Sequence, residues 1–239
     1  MEFTDFLIFA LPVNIVEILA FILGIRYLKL LNNIRWSDKL LVVFLGFVVF
    51  IEIASLYPII AYFSKYEYFS FVQDTRFEGN RWLANFYDLV NPIAISLYFL
   101  FYIKNETFKR FFYYLLGVFL LTSLYFQYFY TSFFETSPTV VLLGTFVILG
   151  VLLQFFYELL KTDLILNLNK YLPMYIAVGC FVFNLVTAPL SIFGDYFNIS
   201  KGNDLFVMLQ VYTLLISNIF MYSCFSLGFI RCSKKKPYN

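Results

Sequence analysis

Residues 6–25 read FLIFALPVNIVEILAFILGI, an apolar run of 20 residues that contains one charged side chain, Glu17. An α-helix needs about 20 mostly apolar residues to cross the hydrocarbon core of a bilayer. Six further stretches meet this requirement, and the predicted spans are 6–25, 39–63, 82–103, 111–130, 139–160, 171–193 and 205–230. The sequence therefore predicts an all-α integral membrane protein, a seven-transmembrane helix bundle that forms one membrane domain over residues 1–239.

The composition agrees with a polytopic membrane protein. Of the 239 residues, 62% are hydrophobic and 13% are charged, whereas soluble domains average about 25% charged residues. The formal net charge of +2 and the lack of a basic motif interleaved with aromatics give no indication of a nucleic-acid partner. The abundance of Phe, Tyr, Ile, Asn and Lys is typical of AT-rich bacterial genomes, so we expect a multi-pass protein of the bacterial inner membrane.

Basic residues are distributed unequally between the two sets of loops. The first, third and fifth loops and the C-terminal segment together hold 13 of the 17 Lys and Arg residues. By the positive-inside rule this side is cytoplasmic, and the N-terminus is outside. The basic tail at 231–239 is then cytoplasmic, where it either docks a partner or lies against anionic membrane lipid. The N-terminal segment has Glu2 and Asp5 but no positive region, so we do not expect a cleavable signal peptide.

The chain contains no histidine, which excludes several kinds of catalytic site. Ser-His-Asp and Cys-His catalysis, histidine-ligated zinc and bis-histidine haem all require that residue. Cys180, Cys224 and Cys232 lack the spacing of a disulfide framework or a zinc site. The seventh span has no lysine for a retinal Schiff base. The sequence thus predicts no metal, no cofactor and no catalytic residue, and an enzyme that uses carboxylates alone is the least favoured function.

Four carboxylates lie inside the predicted spans, whereas Lys and Arg are confined to loops, the tail and span edges. A charge near mid-membrane costs about 2.5–3.5 kcal/mol on insertion scales, and such residues usually face a cavity or a partner. Glu17 and Glu52 are near the middle of their spans, and Asp88 is nearer the outer side. Glu158, three residues before Lys161, is expected to be interfacial, either solvated or paired locally. The other eleven acidic residues fall in predicted loops or termini.

Five of the seven spans carry two polar residues three positions apart. Residues at i and i+3 share a helix face, so each pair forms a polar patch. The pairs are Asn14 with Glu17, Glu52 with Ser55, Asp88 with Asn91, Asn184 with Thr187, and Gln210 with Thr213. Single pairs of this kind often do no more than join helices by hydrogen bonds. Because three carboxylates are among them, the ten residues together predict a shared polar pocket that binds a ligand.

Depth along the spans indicates which way this pocket opens. In the predicted orientation most of the ten residues lie in the middle or outer half. The same region holds four prolines, Pro12, Pro58, Pro92 and Pro189. Proline kinks a helix and frees a carbonyl, so we expect an outward-facing pocket in which one carboxylate accepts a proton or a cationic group. The inner half is expected to pack closely at four glycines, Gly24, Gly46, Gly117 and Gly150.

Three segments carry a resemblance to other membrane proteins. VEILAFILGIRYLKL at 16–30, NPIAISLYFLFY at 91–102 and FYELL at 156–160 resemble recurring segments of small, uncharacterised seven-helix membrane proteins of Bacteroidota. Those proteins are similar to bacterial seven-transmembrane sensor modules in helix number and orientation. The resemblance implies a sensory or signalling role through a separate cytoplasmic partner, and it assigns no functional residues.

Two functions remain open at this point. One is a receptor-like protein that binds a small ligand or lipid in the outward-facing pocket and signals through a cytoplasmic partner. The other is a proton- or cation-coupled transporter of a small solute, since carboxylates in the membrane suit such coupling. DLVNP at 88–92 is faintly similar to NLVTAP at 184–189 in a span of opposite direction, which is a feature of inverted-repeat transporters.

Overall fold

Eight α-helices account for most of residues 3–31, 33–193 and 204–233, which are the residues that the computed structural model describes. They are α1 (Phe3–Leu30), α2 (Trp36–Ala54), α3 (Tyr57–Phe63), α4 (Arg81–Leu100), α5 (Glu106–Phe129), α6 (Pro138–Leu160), α7 (Leu172–Ile192) and α8 (Asp204–Cys232). Short 3₁₀ helices occupy Ser70–Val72 and Asp163–Lys170. Seven helices are long and apolar enough to span a membrane, with α2 and α3 counted as one, so the predicted all-α class and the number of such helices are confirmed.

The second predicted span is interrupted between α2 and α3. Helix α2 ends at Ala54, and α3 begins at Tyr57 with Pro58 in its first turn. Proline has no backbone N–H and suits the first turn of a helix, so Pro58 begins a new helix instead of extending α2. The Ser55 carbonyl at the break accepts a hydrogen bond from Asn80 Nδ2 at 3.0 Å. The break is therefore tied to the residue that directly precedes α4.

Six of the long helices form a closed ring. Helix α1 packs against α2, α2 against α4, α4 against α6, α6 against α7, α7 against α8, and α8 against α1. Helix α5 packs on the outside of α6 and α4. Side chains such as Tyr98, Phe99 and Leu152 are completely buried in the core. Large apolar side chains on the outer surface, including Val43 and Leu121, are exposed, as expected of helices that face lipid.

Two of the four predicted close-packing glycines lie at tight helix contacts. A Cβ at Gly24 or Gly46 would lie 3.0 or 2.9 Å from a side chain of the facing helix, so the prediction for both is confirmed. At Gly150 the nearest side-chain atom would be 3.4 Å away, an ordinary contact. Nothing lies within 4 Å of a Cβ at Gly117, so that prediction is wrong. Gly117 belongs to α5, which packs outside the ring and leaves one face of its own helix uncovered.

The connection between α3 and α4 folds over the helix ends through aromatic side chains. Trp82 Nε1 donates to the Tyr57 hydroxyl at 3.0 Å, and that hydroxyl donates to the Gly79 carbonyl at 2.7 Å. The aromatic rings around them enclose an apolar cavity of about 220 Å³. This connection therefore has a packed structure of its own.

Residues 33–35 and the connections 101–105 and 161–171 meet at one end of the ring. We call it the basic end because Arg35, Lys104 and Lys170 line one cavity there. The predicted basic tail begins at the same end, where α8 finishes at Cys232. Its lysines Lys234–Lys236 lie outside the described residues.

Candidate ligand-binding site

Glu17 lies in the interior of the helix ring and is 3% exposed. One of its carboxylate oxygens, Oε2, has no hydrogen-bond partner among the described residues. The Tyr222 side chain of α8 is within hydrogen-bonding reach of the same carboxyl group, and the Glu52 carboxyl of α2 is near enough for the two charges to repel. Buried polar atoms in folded proteins nearly always have a partner. The fold therefore leaves the Glu17 carboxylate incompletely satisfied.

Two tyrosines face these carboxylates. Tyr87 of α4 and Tyr222 of α8 both interact electrostatically with Glu17 and Glu52, and Tyr222 is 2% exposed. A phenolic O–H donates a hydrogen bond that a carboxylate accepts. The sequence does not single out either tyrosine, because the chain has 20 and no spacing distinguishes these two. Glu17, Glu52, Tyr87 and Tyr222 are called the central cluster.

A small cavity adjoins the central cluster. Tyr87, Tyr222, Asn91 and Asn184 line it together with apolar side chains, and its volume is about 10 Å³. That is close to the room that one water molecule needs, and an ammonium group is of similar size. The Asn184 side-chain amide is held in place because it donates to the Cys180 carbonyl of its own helix at 2.8 Å. The cavity is far smaller than the roughly 300–1,000 Å³ of ordinary small-molecule sites.

Four of the ten predicted site residues thus meet at the cluster and its cavity: Glu17, Glu52, Asn91 and Asn184. Asn14 is half-buried, one turn from Glu17 on α1. Asp88 is half-buried close to Tyr87, and the charge of Arg81 at the start of α4 acts on it.

The other four predicted residues are Ser55, Thr187, Gln210 and Thr213. Ser55 lies one turn beyond Glu52, at the break that follows α2. The Thr187 hydroxyl is directed to its own helix, where it donates to the Phe183 carbonyl at 3.0 Å. Gln210 and Thr213 are half-buried in α8. Thr213 precedes Tyr222 by nine residues, about 13 Å along the helix, and neither Gln210 nor Thr213 lines the cavity beside the cluster.

Glu158 has a structural role that cannot be predicted from the residues next to it in the sequence. Its carboxylate accepts hydrogen bonds from the backbone N–H groups of Lys104 at 2.6 Å and Asn105 at 3.2 Å, and from Gln154 Nε2 at 3.0 Å. Lys161 donates to the Tyr157 hydroxyl, so the local partner of Glu158 is Gln154 and not Lys161. From the end of α6, Glu158 thus holds the connection between α4 and α5.

Asp38 is a further buried carboxylate, and the prediction that it lies in a loop is wrong. Helix α2 begins at Trp36, before the apolar run, so Asp38 belongs to the first turn and is 4% exposed. The Tyr102 hydroxyl donates to its Oδ1 at 3.3 Å and the Tyr27 hydroxyl to its Oδ2 at 3.5 Å. Ser37 Oγ lies 2.9 Å from the Tyr102 hydroxyl. Both Asp38 oxygens therefore have donors, whereas Glu17 Oε2 has none among the described residues.

Comparisons with known proteins add no function to this geometry. No protein family, curated protein or solved structure matches the chain. Within the part of the chain that the structure describes, no three His, Cys, Asp or Glu side chains lie close enough together to hold a metal ion. The chemistry available at the central cluster and its cavity is that of two neighbouring carboxylates, two phenols and two amides.

Proposed function

We propose that the chain is a receptor-like membrane protein that binds the cationic group of a small ligand or lipid at the central cluster and signals through a separate cytoplasmic partner. The observation that carries the proposal is the buried Glu17 carboxylate, which faces Glu52 and has one oxygen with no donor among the described residues. Between described residues the only ion pair joins Lys109 and Glu106, so neither carboxylate has a basic partner. A proton or a cation is the chemistry that compensates two such neighbours.

The dimensions of the cavity specify the ligand group further. A volume of about 10 Å³ accommodates an ammonium group beside the two tyrosines and no larger part of a ligand. The rest of the ligand requires the helices to separate on the side away from the basic end. The break after α2 and Pro92 within α4 are points at which this separation can occur, because backbone hydrogen bonding is interrupted there.

The contributing helices suit the transmission of a signal. Helices α1, α2, α4, α7 and α8 each place at least one side chain at the cluster or its cavity. A ligand that changes the charge there acts on five members of the ring at once, and it shifts the ring toward whichever arrangement binds it better. In a bacterial inner membrane with the basic end cytoplasmic, as the positive-inside rule implies, that shift is read by a partner at the basic end.

A proton- or cation-coupled transporter is the second candidate, because the same pair of carboxylates is suited to ion coupling. Transport requires access to the site from both ends of the ring. On the way to the basic end, residues 40–51 of α2 have no polar side chain, and six of them are buried, including Leu41, Leu45 and Val48. Along α2 there is thus no polar route to the basic end, and this observation favours the receptor.

Thermal unfolding of the chain in lipid nanodiscs tests the proposal. The probes are methylammonium, ethanolamine, putrescine and choline, with Na⁺ and K⁺ as inorganic cations. We expect at least one amine to raise the Tm of the wild type, because a ligand that binds only the folded state stabilises it. Glu17→Gln is expected to abolish that rise. Glu67→Gln, which alters an exposed carboxylate of the α3–α4 connection, is expected to preserve it.

Uptake of the stabilising amine into proteoliposomes then separates the two functions. Binding without uptake supports the receptor, whereas uptake that Glu17→Gln abolishes supports the transporter. The proposal fails if none of the probes stabilises the wild type, or if Glu17→Gln responds to the amine as the wild type does.

A further inference from the structure

A second cavity, of about 450 Å³, lies at the basic end. Its volume is within the roughly 300–1,000 Å³ of small-molecule sites. The residues around it come from the segment before α2, the connection between α4 and α5, the end of α6 and the segment before α7. None of the residues of the central cluster lines it.

The lining of this cavity is positively charged. Arg35, Lys104 and Lys170 all contribute to it, and the one ion pair between described residues lies elsewhere. Glu158 is the acidic residue of the lining, and its two oxygens already accept hydrogen bonds from the protein. Asp38 lies behind the lining, where it accepts from two tyrosines. The three cations therefore outnumber the carboxylates and have hydrogen-bonding capacity for an anion.

The floor of the cavity is aromatic and its rim is apolar. Phe155 and Tyr171 are stacked with ring centroids 6.3 Å apart, and Tyr102 meets Tyr171 edge-on at 6.0 Å. Phe101 and Leu164 at the rim are 54% and 44% exposed. A ligand that satisfies the whole cavity must combine a negative group with an apolar body.

We infer that this cavity binds a phosphate group of net negative charge attached to an apolar or small organic body, either the headgroup of an anionic phospholipid or a soluble phosphate ester. The guanidinium of Arg35 offers a planar pair of donors to phosphate oxygens, and the two lysines add point charges. Helix α4 ends at Leu100, α6 ends at Leu160 and α7 begins at Leu172, all around the cavity. The cavity therefore lies where the apolar helices end and lipid headgroups begin.

Native mass spectrometry of the detergent-solubilised chain tests this inference, with phosphatidylglycerol and phosphatidylcholine of identical acyl chains as probes. The cavity variant combines Arg35→Gln, Lys104→Gln and Lys170→Gln. The control variant combines Lys29→Gln, Lys39→Gln and Arg110→Gln, which remove the same charge from exposed positions near the basic end. We expect a preference for phosphatidylglycerol of about tenfold in the wild type and the control, and its loss in the cavity variant.

Thr162→Trp provides a second test that leaves every charge in place. Thr162 lines the cavity, so the larger side chain should occupy part of the space for the headgroup and weaken the lipid preference, even if the triple variant does not fold. Equal loss of preference in the cavity and control variants would show a general charge effect and overturn the inference.

Binding of a soluble phosphate ester is tested by thermal unfolding in phosphatidylcholine nanodiscs, with glycerol 3-phosphate and inorganic phosphate as probes. A rise in Tm with glycerol 3-phosphate that the cavity variant abolishes assigns a soluble phosphate ester. A preference for phosphatidylglycerol without that rise assigns the lipid. If the wild type shows neither, the cavity does not bind phosphate and the inference is wrong.

Discussion

Glu17 and Glu158 are both glutamates within long apolar helices, yet their carboxylates differ in how far the protein satisfies their hydrogen bonding. Glu158 accepts three hydrogen bonds, two of them from backbone N–H groups of a connection that it holds in place. Glu17 is more deeply buried, faces a second carboxylate and has an oxygen for which the described part of the chain supplies no donor. The hydrogen-bonding capacity of Glu158 is used by the fold, whereas that of Glu17 remains available to a proton or a ligand.

The surroundings of the two glutamates differ in the same sense. The cavity beside the central cluster has a volume of about 10 Å³, and the charged residues of the cluster, Glu17 and Glu52, are acidic. Glu158 borders a cavity of about 450 Å³ whose charged side chains are mainly basic. The molecule thus has one small site suited to a cationic group and one large site suited to an anionic group, at different levels of the same ring.

The largest stability effect in this comparison is expected from Glu158→Gln. The neutral amide of glutamine accepts weaker hydrogen bonds than the carboxylate does, and its NH₂ group would face N–H donors. The free energy of unfolding should therefore fall by about 1.5–3 kcal/mol. Unfolding by SDS in mixed micelles measures it, with Glu67→Gln in the exposed α3–α4 connection as the matched control. A change no greater than that of the control would show that Glu158 is not a structural residue.

A smaller effect is expected from Tyr102→Phe. The substitution removes the hydroxyl that donates to Asp38 and pairs with Ser37, both of which are buried. A loss of about 1–2 kcal/mol in the free energy of unfolding should result, because two hydrogen bonds are lost and their partners stay buried. Tyr114→Phe, at a position that is 76% exposed on α5, should leave the stability unchanged. Equal stabilities for the two variants would contradict the hydrogen-bond network around Asp38.

The smallest effect on stability is expected from Glu17→Gln. The substitution removes repulsion with Glu52 and replaces a carboxylate that has an unpartnered oxygen, so the free energy of unfolding should change by less than about 0.5 kcal/mol or increase. The double variant with Glu52→Gln should be less than additive, because either single change already removes the repulsion. A loss as large as that of Glu158→Gln would remove the distinction between the two glutamates.

The number of long helices is readable from the sequence because a chain in lipid must satisfy its backbone hydrogen bonds within each span. About 20 apolar residues in a row are then sufficient, and Pro58 marks where the second span is interrupted. The start of that span is harder to place. The residues Trp-Ser-Asp-Lys at 36–39 are equally compatible with a loop. Only the structure shows that Asp38 lies in a helix and accepts hydrogen bonds from two tyrosines.

The candidate site can be predicted from the sequence only in part. The i, i+3 spacing shows that two residues share a helix face, but it does not show how deep they lie in the bundle or which residues surround them. Glu17 and Glu52 lie near each other, as uncompensated carboxylates in apolar helices must find the interior of the ring. Thr213 has the same spacing pattern but lies about 13 Å from Tyr222 along α8. The two backbone donors to Glu158 come from a connection more than 50 residues earlier in the chain, and no local pattern reveals such a contact.

The most direct test of the central claim is an experimental structure of the chain in lipid nanodiscs with the stabilising amine, at a resolution that shows what surrounds Glu17. We expect a cationic group between Tyr87 and Tyr222, within hydrogen-bonding distance of the Glu17 carboxylate. Glu17 Oε2 hydrogen-bonded to a neighbouring helix in a closed core, with the amine bound elsewhere, would contradict it.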